Sequence, residues 1–430
     1  MPLRAGHARI DITPPLGIEM AGFHKPVGQE RRIAAIRDAT ELRALVLEVD
    51  GEMLAIVSID LCALSLAFTQ AVQQQAEART GIPAAHVQVT ATHTHSMPTF
   101  IPFRQWGAVD ADYRDRVVAS AVEAVVQAKA DLAEADAYLG KATVTGGNFN
   151  RTAKTWKTNA EFGPDSSDAE RWLDTDLHVL QFQREEARGN IAWYHFCAHP
   201  VCHADDQAGA DWPGVVAQRL ESAVGVRPAF LQGHIGDVNP GDGTPWQGDL
   251  EETASAVASA LYHASTHAEL IELGALRVAS AQVKLPFDYG RLQAELALYR
   301  AHPEQCTKDT WVDAAFAQAW FESAQHWKQD TPALEAPVTA VSLGSLGLLF
   351  HPGELYSCYG LALRRDAPFA TTLCIGYTGT FVGYLPDPVA YEKNEYAAIA
   401  VPKILDLPPF TPAVGREFTA QCTALLRSLA

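Results

Sequence analysis

Short apolar runs alternate with amphipathic helical stretches from one end of the chain to the other, the signature of an α/β protein. Strands are expected over Leu42–Val49, Met53–Ile59, Val87–Ala91, Ala137–Thr145, His178–Gln183, Ile191–Cys197, Ala229–Gln232, Ala275–Lys284, Thr339–Leu349 and Thr371–Ile375. Helices are expected over Ala67–Arg79, Tyr113–Ala130, Val215–Val224, Glu252–His263, Leu355–Arg364 and Arg416–Leu429. The pattern predicts mixed, twisted β-sheets with flanking helices. Two segments break the rhythm. Asn150–Asp174 is polar and reads as a long functional loop. Tyr289–Asp330 is helical, with Phe316, Trp320 and Trp327 on roughly one face. That stripe suits a helical hairpin packed on the core, or a lid that walls an apolar pocket. No repeat, low-complexity tract or linker interrupts the chain, so residues 1–430 read as one catalytic domain with a helical insertion at 289–330.

Composition narrows the partners. The chain has 430 residues, 48% of them apolar, and a formal net charge of −18. Such a surface repels phosphate backbones and anionic lipid, which excludes nucleic acid and stable membrane docking. The N-terminal segment has no apolar h-region, and no run approaches the ~20 apolar residues of a bilayer span. The seven cysteines (62, 197, 202, 306, 358, 374 and 422) are dispersed and lack C-x-x-C spacing. They read as buried free thiols of a cytoplasmic protein. A small-molecule substrate remains, in a monomer or a homo-oligomer.

The chemistry is concentrated where strands run into loops, the place where open α/β sheets build their sites. In Val87-Gln-Val-Thr-Ala-Thr-His-Thr-His-Ser, strand alternation puts His93 and His95 on one side. Two neighbouring imidazoles suit a divalent metal, or form a hydrogen-bonded structural pair. In Trp193-Tyr-His-Phe-Cys-Ala-His-Pro, the strand and Pro200 rule out a helical His199/His203 pair, so His199 alone is a candidate ligand, with His195 and His203 making ordinary hydrogen bonds. Gly233-His-Ile-Gly-Asp-Val-Asn-Pro carries Asp237 and Asn239. Leu348-Leu-Phe-His-Pro-Gly-Glu carries Glu354, which local evidence reads as a helix cap placed in the first turn by the macrodipole.

Taken in order, these motifs resemble the catalytic domain of the neutral, non-lysosomal ceramidase family. Ala8-Arg-Ile-Asp-Ile-Thr-Pro-Pro-Leu-Gly-Ile-Glu-Met-Ala-Gly-Phe is similar to its opening. Thr92-His-Thr-His-Ser, His199-Pro200, Gly236-Asp-Val-Asn-Pro, Pro352-Gly-Glu and Tyr384, Tyr391 and Tyr396 follow in the family's sequence. The resemblance covers essentially the whole chain. It implies one Zn²⁺ per chain held by His93, His199, Glu354 and Tyr384, with His95, Arg151 and Tyr396 around a scissile carbonyl. It implies a hydrolase in which metal-activated water attacks an amide, or a lactone or ester, of a soluble small molecule. His95 or Asp237 would take the water's proton, and Arg151, Tyr396 or Asn239 would meet the oxyanion. Asp237 could instead fix its own turn. Asp11 and Asp60 would orient neighbouring groups or cap turns, and Trp106 and Trp156 lie in loops at the site's mouth.

Three departures set the chain apart from true ceramidases. Asn239 stands where they carry serine, no β-sandwich module is expected after the catalytic domain, and no secretory signal is seen. A short cytoplasmic member not acting on ceramide is the expectation. Two other designs also fit an early H-x-H: an amidohydrolase barrel of eight βα units with a late aspartate ligand, and a non-catalytic binding relative.

Overall fold

A computed structural model describes residues 3–185, 187–307 and 312–430. Among the described residues, nine strands form a mixed sheet, eight of them in the order Ala229–Gln232, Ile191–Phe196, Asp176–Arg184, Ala133–Thr143, Leu3–Asp11, Glu41–Val49, Glu52–Ile59, Val87–Ala91. The ninth, Glu269–Ile271, pairs with Ala133–Thr143. A second sheet runs Leu276–Pro286, Ala333–Leu343, Leu346–Phe350, Thr371–Ile375.

The apolar runs follow from burial on both faces. Along Glu41–Val49, Leu45, Leu47 and Val49 point into a core shared with Val341, Leu348, Phe350 and Ile375 of the second sheet. Leu42, Ala44 and Val46 point the other way, onto a core with Val72 and Ala76 of helix Leu66–Thr80 and Val117 and Ala121 of helix Ala111–Ala130. A strand covered on both sides loses polar alternation. On the far side of the second sheet, Leu363 of helix Ser357–Asp366 packs in the same core as Phe418 and Cys422 of helix Val414–Arg427. The result is two sheets face to face between helical layers. This open arrangement excludes the amidohydrolase barrel, which closes one parallel sheet on itself.

Three β-α-β crossovers fix where chemistry can sit. Helix Leu66–Thr80, capped by Ser65, links the parallel strands Glu52–Ile59 and Val87–Ala91. Helix Trp212–Val224 lies between the parallel strands Ile191–Phe196 and Ala229–Gln232. Helix Ser357–Asp366 links Leu346–Phe350 and Thr371–Ile375. Each crossover sends a loop off a strand's carboxyl end.

Some expectations need correction. Leu3–Asp11, unforeseen, is central in the main sheet. Its Gly6 lets the backbone pass against Ala128 and Leu132, where a Cβ would collide. The expected strand Thr339–Leu349 is a hairpin, Ala333–Leu343 and Leu346–Phe350, turning at Gly344. Glu354 does not start a helix: it pairs in a two-residue strand with Tyr384, and the helix begins at Ser357. The insertion forms helices Tyr289–Ala301 and Ala314–Ala324, with residues 308–311 outside the described residues. Trp320 packs with Leu292 and Leu296 in the hairpin, whereas Phe316 turns toward the main core. The seven cysteines are free thiols, and no helix of the described residues is long and apolar enough to cross a membrane.

Candidate metal centre

His93 follows the strand Val87–Ala91 in a left-handed turn with φ of 65°. The turn, not pleat alternation, brings the His93 and His95 rings together, with their Nε2 atoms 3.1 Å apart. Nδ1 of His93 lies 2.6 Å from the Cys62 carbonyl, and Nδ1 of His199 lies 2.7 Å from that of Val238. A carbonyl only accepts, so both rings carry their proton on Nδ1 when neutral. Burial, opposed in part by Glu354, pushes His93 down to about 4, and burial pushes His199 well below its ordinary value. Both rings are therefore neutral at pH 7, each with its lone pair on Nε2, that of His93 within 3.1 Å of His95 Nε2.

Those lone pairs converge on a carboxylate. Oε2 of Glu354 lies 3.6 Å from His93 Nε2 and 3.2 Å from His199 Nε2. Glu354 is buried, and burial raises its pKa. Three electron-rich atoms facing one another in a dry pocket repel unless something positive lies between them. His93, His199 and Glu354 form a group whose ligand atoms all lie within 4.8 Å of one another. The donor set, two neutral imidazoles and a carboxylate fixed from behind by backbone carbonyls, fits a divalent cation.

Tyr384 lies beside this group. Its buried hydroxyl is hydrogen-bonded to Glu354 and accepts from Nη2 of Arg151 at 2.5 Å. Burial would lower the Arg151 pKa, but Tyr384 and Glu354 more than offset that, keeping the guanidinium cationic. Arg151 is further held by Gly236 O at 2.9 Å and by Oδ1 of Asn239 at 3.1 Å. Tyr396 packs edge-on to Tyr384, with centroids 6.1 Å apart, and takes a hydrogen bond from Trp106.

Not every candidate faces the centre. Asp237 is buried with its carboxylate committed: Oδ1 accepts from the Ser357 N–H and hydroxyl, each at 2.8 Å, and Oδ2 from Asn150 at 2.7 Å. Those bonds fix the Asn150–Arg151 turn, the structural alternative. Asn239 donates its own N–H to Trp246 O at 2.7 Å while its oxygen holds Arg151. Its oxygen is turned to Arg151, and one of its two N–H groups is taken by Trp246. His195 bonds the Cys374 carbonyl at 2.9 Å, away from His199. The His203 backbone N–H donates to Asp211 at 3.2 Å, and its Nε2 has no partner. Asp60 pairs with the buried Arg43 at 2.7 Å, and Asp11 caps the Thr13 N–H at 2.7 Å. Trp156 packs against Phe149 with centroids 6.2 Å apart, whereas Trp106 lines the cavity over the centre.

Sequence reasoning missed Tyr377 and Phe381. Tyr377 stacks on His93 with centroids 4.1 Å apart and donates to Glu354 Oε2 at 3.1 Å. Phe381 stacks on the same ring at 5.9 Å. The available signal was position: Gly376-Tyr-Thr-Gly-Thr-Phe leaves a strand's carboxyl end, as His93 and His199 do. Among the described residues, two other groups have metal-like spacing, Cys62/His93/His95 and Asp174/Cys197/His234. The second is occupied by an ion pair, because Asp174 Oδ2 already takes the Arg364 guanidinium.

A family model described as neutral/alkaline non-lysosomal ceramidase, N-terminal, matches residues 3–269. That span includes His93, Arg151 and His199; Glu354, Tyr384 and Tyr396 lie beyond it. A neutral ceramidase of Mycobacterium tuberculosis (strain ATCC 25618 / H37Rv) is 22% identical over 382 residues, covering 72% of this chain and 59% of that protein. The chain thus spans less than two thirds of the length of this curated relative. A solved neutral ceramidase from Pseudomonas aeruginosa superposes with a TM-score of 0.76 at 18% identity, over 100% of this chain and 74% of that one. A structure described as a ceramidase complexed with C2 gives 0.77 at 18% identity, over 100% of this chain and 75% of the other. At such identity these two likenesses show the fold.

Proposed function

Because the chain belongs to the neutral/alkaline non-lysosomal ceramidase family, we propose that it is a zinc-dependent hydrolase cleaving an amide bond of a small molecule. His93, His199 and Glu354 would hold the ion, with Tyr384 as a weaker oxygen ligand. One observation carries this reading: the Nε2 atoms of His93 and His199 lie 3.6 and 3.2 Å from the Glu354 oxygen. Ligand atoms about 2.1 Å from a tetrahedral ion lie about 3.4 Å from each other, so the spacing supports a small cation. When bound, zinc supplies Lewis acidity and lowers the pKa of water to about 7.

The remaining roles fall to the chain's own groups. His95 has its Nε2 beside that of His93, and its buried Nδ1 has no partner. Gly22, at φ 99°, presses so closely on this ring that a Cβ would collide with it. Burial, then His93, lowers its pKa and keeps the imidazole neutral, and its place beside His93 supports the role of accepting a proton from water and later passing it to the leaving nitrogen. Arg151 keeps its charge within hydrogen-bond reach of Tyr384, so the guanidinium supports the reading of an oxyanion donor. Tyr396 is the second donor. Asn239 acts through Arg151, as a positioning residue. The same attack serves a lactone or ester, which keeps those bonds as a second reading.

The test is hydrolysis of a panel of simple amides, esters and lactones by protein purified with zinc, then stripped with a chelator and reloaded. Amide turnover that disappears on stripping and returns with zinc supports the proposal. Full activity in the metal-free protein would defeat it.

A further inference from the structure

The backbone on either side of Trp106 is unusual. Gln105 before it has φ of 58°, and Gly107 after it has φ of 143°. A left-handed backbone at a residue other than glycine persists only where surrounding contacts over-determine it. At Gly107 a side chain has no room, since a Cβ would come within 2.7 Å of Ala21 Cβ. The N-terminal segment supplies the contacts. The Gly22 N–H donates to Trp106 O at 2.9 Å, the Lys25 N–H to Gln105 O at 3.1 Å, and Nε2 of His24 to Gln105 Oε1 at 2.9 Å. The turn so fixed places a buried indole in the wall of the cavity over the candidate centre.

Among the described residues of the helical insertion, none lines that cavity. The insertion meets it through the indole. Phe316 of helix Ala314–Ala324 stands edge-on to Trp106, with centroids 5.7 Å apart and planes at 70°. His24 lies against the indole with centroids 4.7 Å apart. One carboxylate ties these two neighbours together: Oδ1 of Asp313 caps the Phe316 N–H at 2.7 Å, and its Oδ2 lies 3.4 Å from His24 Nε2. The insertion also grips the segment next to Tyr396. Lys403 lies over the Trp320 ring at 4.9 Å and pairs with Glu295 at 2.8 Å. Its Nζ donates to the carbonyl of Ile399, the last residue of the short helix Tyr396–Ile399, at 2.6 Å.

Trp106 and Tyr396 meet between those two grips. Their centroids are 6.5 Å apart, and the indole donates a hydrogen bond to the Tyr396 hydroxyl. An indole N–H can only donate, so it fills an acceptor site on the phenol oxygen. The hydroxyl has one proton to give, and an oxygen that already accepts a hydrogen bond gives that proton more strongly. Tyr396 lines the cavity together with His93, His95, Glu354 and Tyr384. From this we infer that Trp106 is a positioning residue that turns the Tyr396 proton toward the reacting carbonyl, and that the insertion braces Trp106 for this task through Phe316 and Asp313. The inference rests on the reading of Tyr396 as an oxyanion donor. The insertion thereby serves the reaction without touching substrate.

The experiment is a double-mutant cycle on zinc-loaded protein. Trp106→Phe keeps an aromatic ring and removes the N–H, whereas Phe316→Leu loosens the indole from the insertion. Each is made in the wild type and in Tyr396→Phe, with zinc content and circular dichroism confirming the fold. Steady-state kinetics on one amide is the first readout. Calorimetric binding of acetohydroxamate, whose carbonyl oxygen would take the Tyr396 proton, is the second and needs no turnover. In the wild-type background Trp106→Phe is expected to lower kcat and acetohydroxamate affinity by about tenfold, and Phe316→Leu by about threefold, with KM changed less than about twofold. In Tyr396→Phe both should cost less than about twofold, because the hydroxyl they serve is gone. Losses of equal size in the two backgrounds would overturn the inference, and so would full kcat in Trp106→Phe. Should Trp106→Phe not fold, Phe316→Leu in the two backgrounds still decides. No amide turnover by the wild type would overturn the hydrolase reading alone, with the acetohydroxamate cycle still testing the brace. A wild type that neither cleaves amides nor binds acetohydroxamate would overturn both.

Discussion

Nε2 of His199 lies 3.2 Å from Oε2 of Glu354, across 155 positions of sequence, while Nδ1 of the same ring is committed to the Val238 carbonyl. Two acceptors held face to face in a buried pocket need a cation or a proton between them. Glu354→Gln keeps the shape but replaces the charge with a neutral amide. Zinc affinity is expected to fall by at least about 100-fold, since even groups that only support a ligand are worth 10–100-fold. Competition with a chromophoric chelator measures it; unchanged affinity would remove Glu354 from the ligand set.

Tyr377 makes a gentler test. Tyr377→Phe keeps the ring on His93 and removes only the hydroxyl that bonds Glu354 at 3.1 Å. Zinc affinity should drop by roughly tenfold with thermal unfolding of the metal-free protein nearly unchanged. A large loss of metal-free stability with normal affinity would make Tyr377 a packing residue only.

Arg151 and Asn239 should separate by size of effect. Arg151→Lys cannot reproduce the guanidinium's simultaneous bonds to Tyr384, Gly236 and Asn239, so kcat is expected to fall by about 10²–10³. Asn239→Ala, removing one of those holds, should cost about tenfold, mainly in kcat. Steady-state kinetics on one amide substrate checks both. A loss confined to KM in Arg151→Lys would point to uniform substrate binding instead.

The buried histidines away from the centre predict acid sensitivity. Burial lowers His178 and His351 to about 3 and His195 to about 4. Unfolded, each titrates near pH 6.5. Between those values the unfolded chain binds more protons, so the contribution is whole above pH 6.5 and is lost as pH falls toward 3 to 4. The slope is at most about 1.4 kcal/mol per pH unit per group. Urea unfolding of metal-free protein should give a lower midpoint at pH 5.0 than at 7.5, with a shallower dependence in His351→Leu. A midpoint that rises on acidification would contradict it.

Legibility in the sequence followed the length of the signal. Glu41–Val49 and Glu52–Ile59 were visible because both faces are buried, which leaves long apolar runs. Leu3–Asp11 was hidden by its Gly, His and Arg residues, which pay no heed to alternation where Gly6 passes a helix end. Within the site, His93 and His199 stood out as histidines at strand ends, and the structure brings them together with Glu354. Local reasoning placed Glu354 in a helix that starts three residues later, because a two-residue strand pairing with Tyr384 leaves no periodic trace. Asp237 and Asn239 looked like chemistry since carboxylates and amides are chemical by type. Only their partners, Ser357, Asn150, Arg151 and Trp246, reveal that both Asp237 oxygens and the Asn239 oxygen are engaged away from a substrate. Tyr377 was not singled out because a tyrosine in a glycine-bordered loop gives no hint of the ring it covers.

The central claim is a cation shared by His93, His199 and Glu354. Elemental analysis of the purified wild type beside His93→Ala and Glu354→Ala tests it most directly. The account predicts about one zinc per chain in the wild type, lost from both variants while they remain folded by circular dichroism. A wild-type protein that hydrolyses its amide substrate with no bound metal, or variants that retain the full complement, would contradict it.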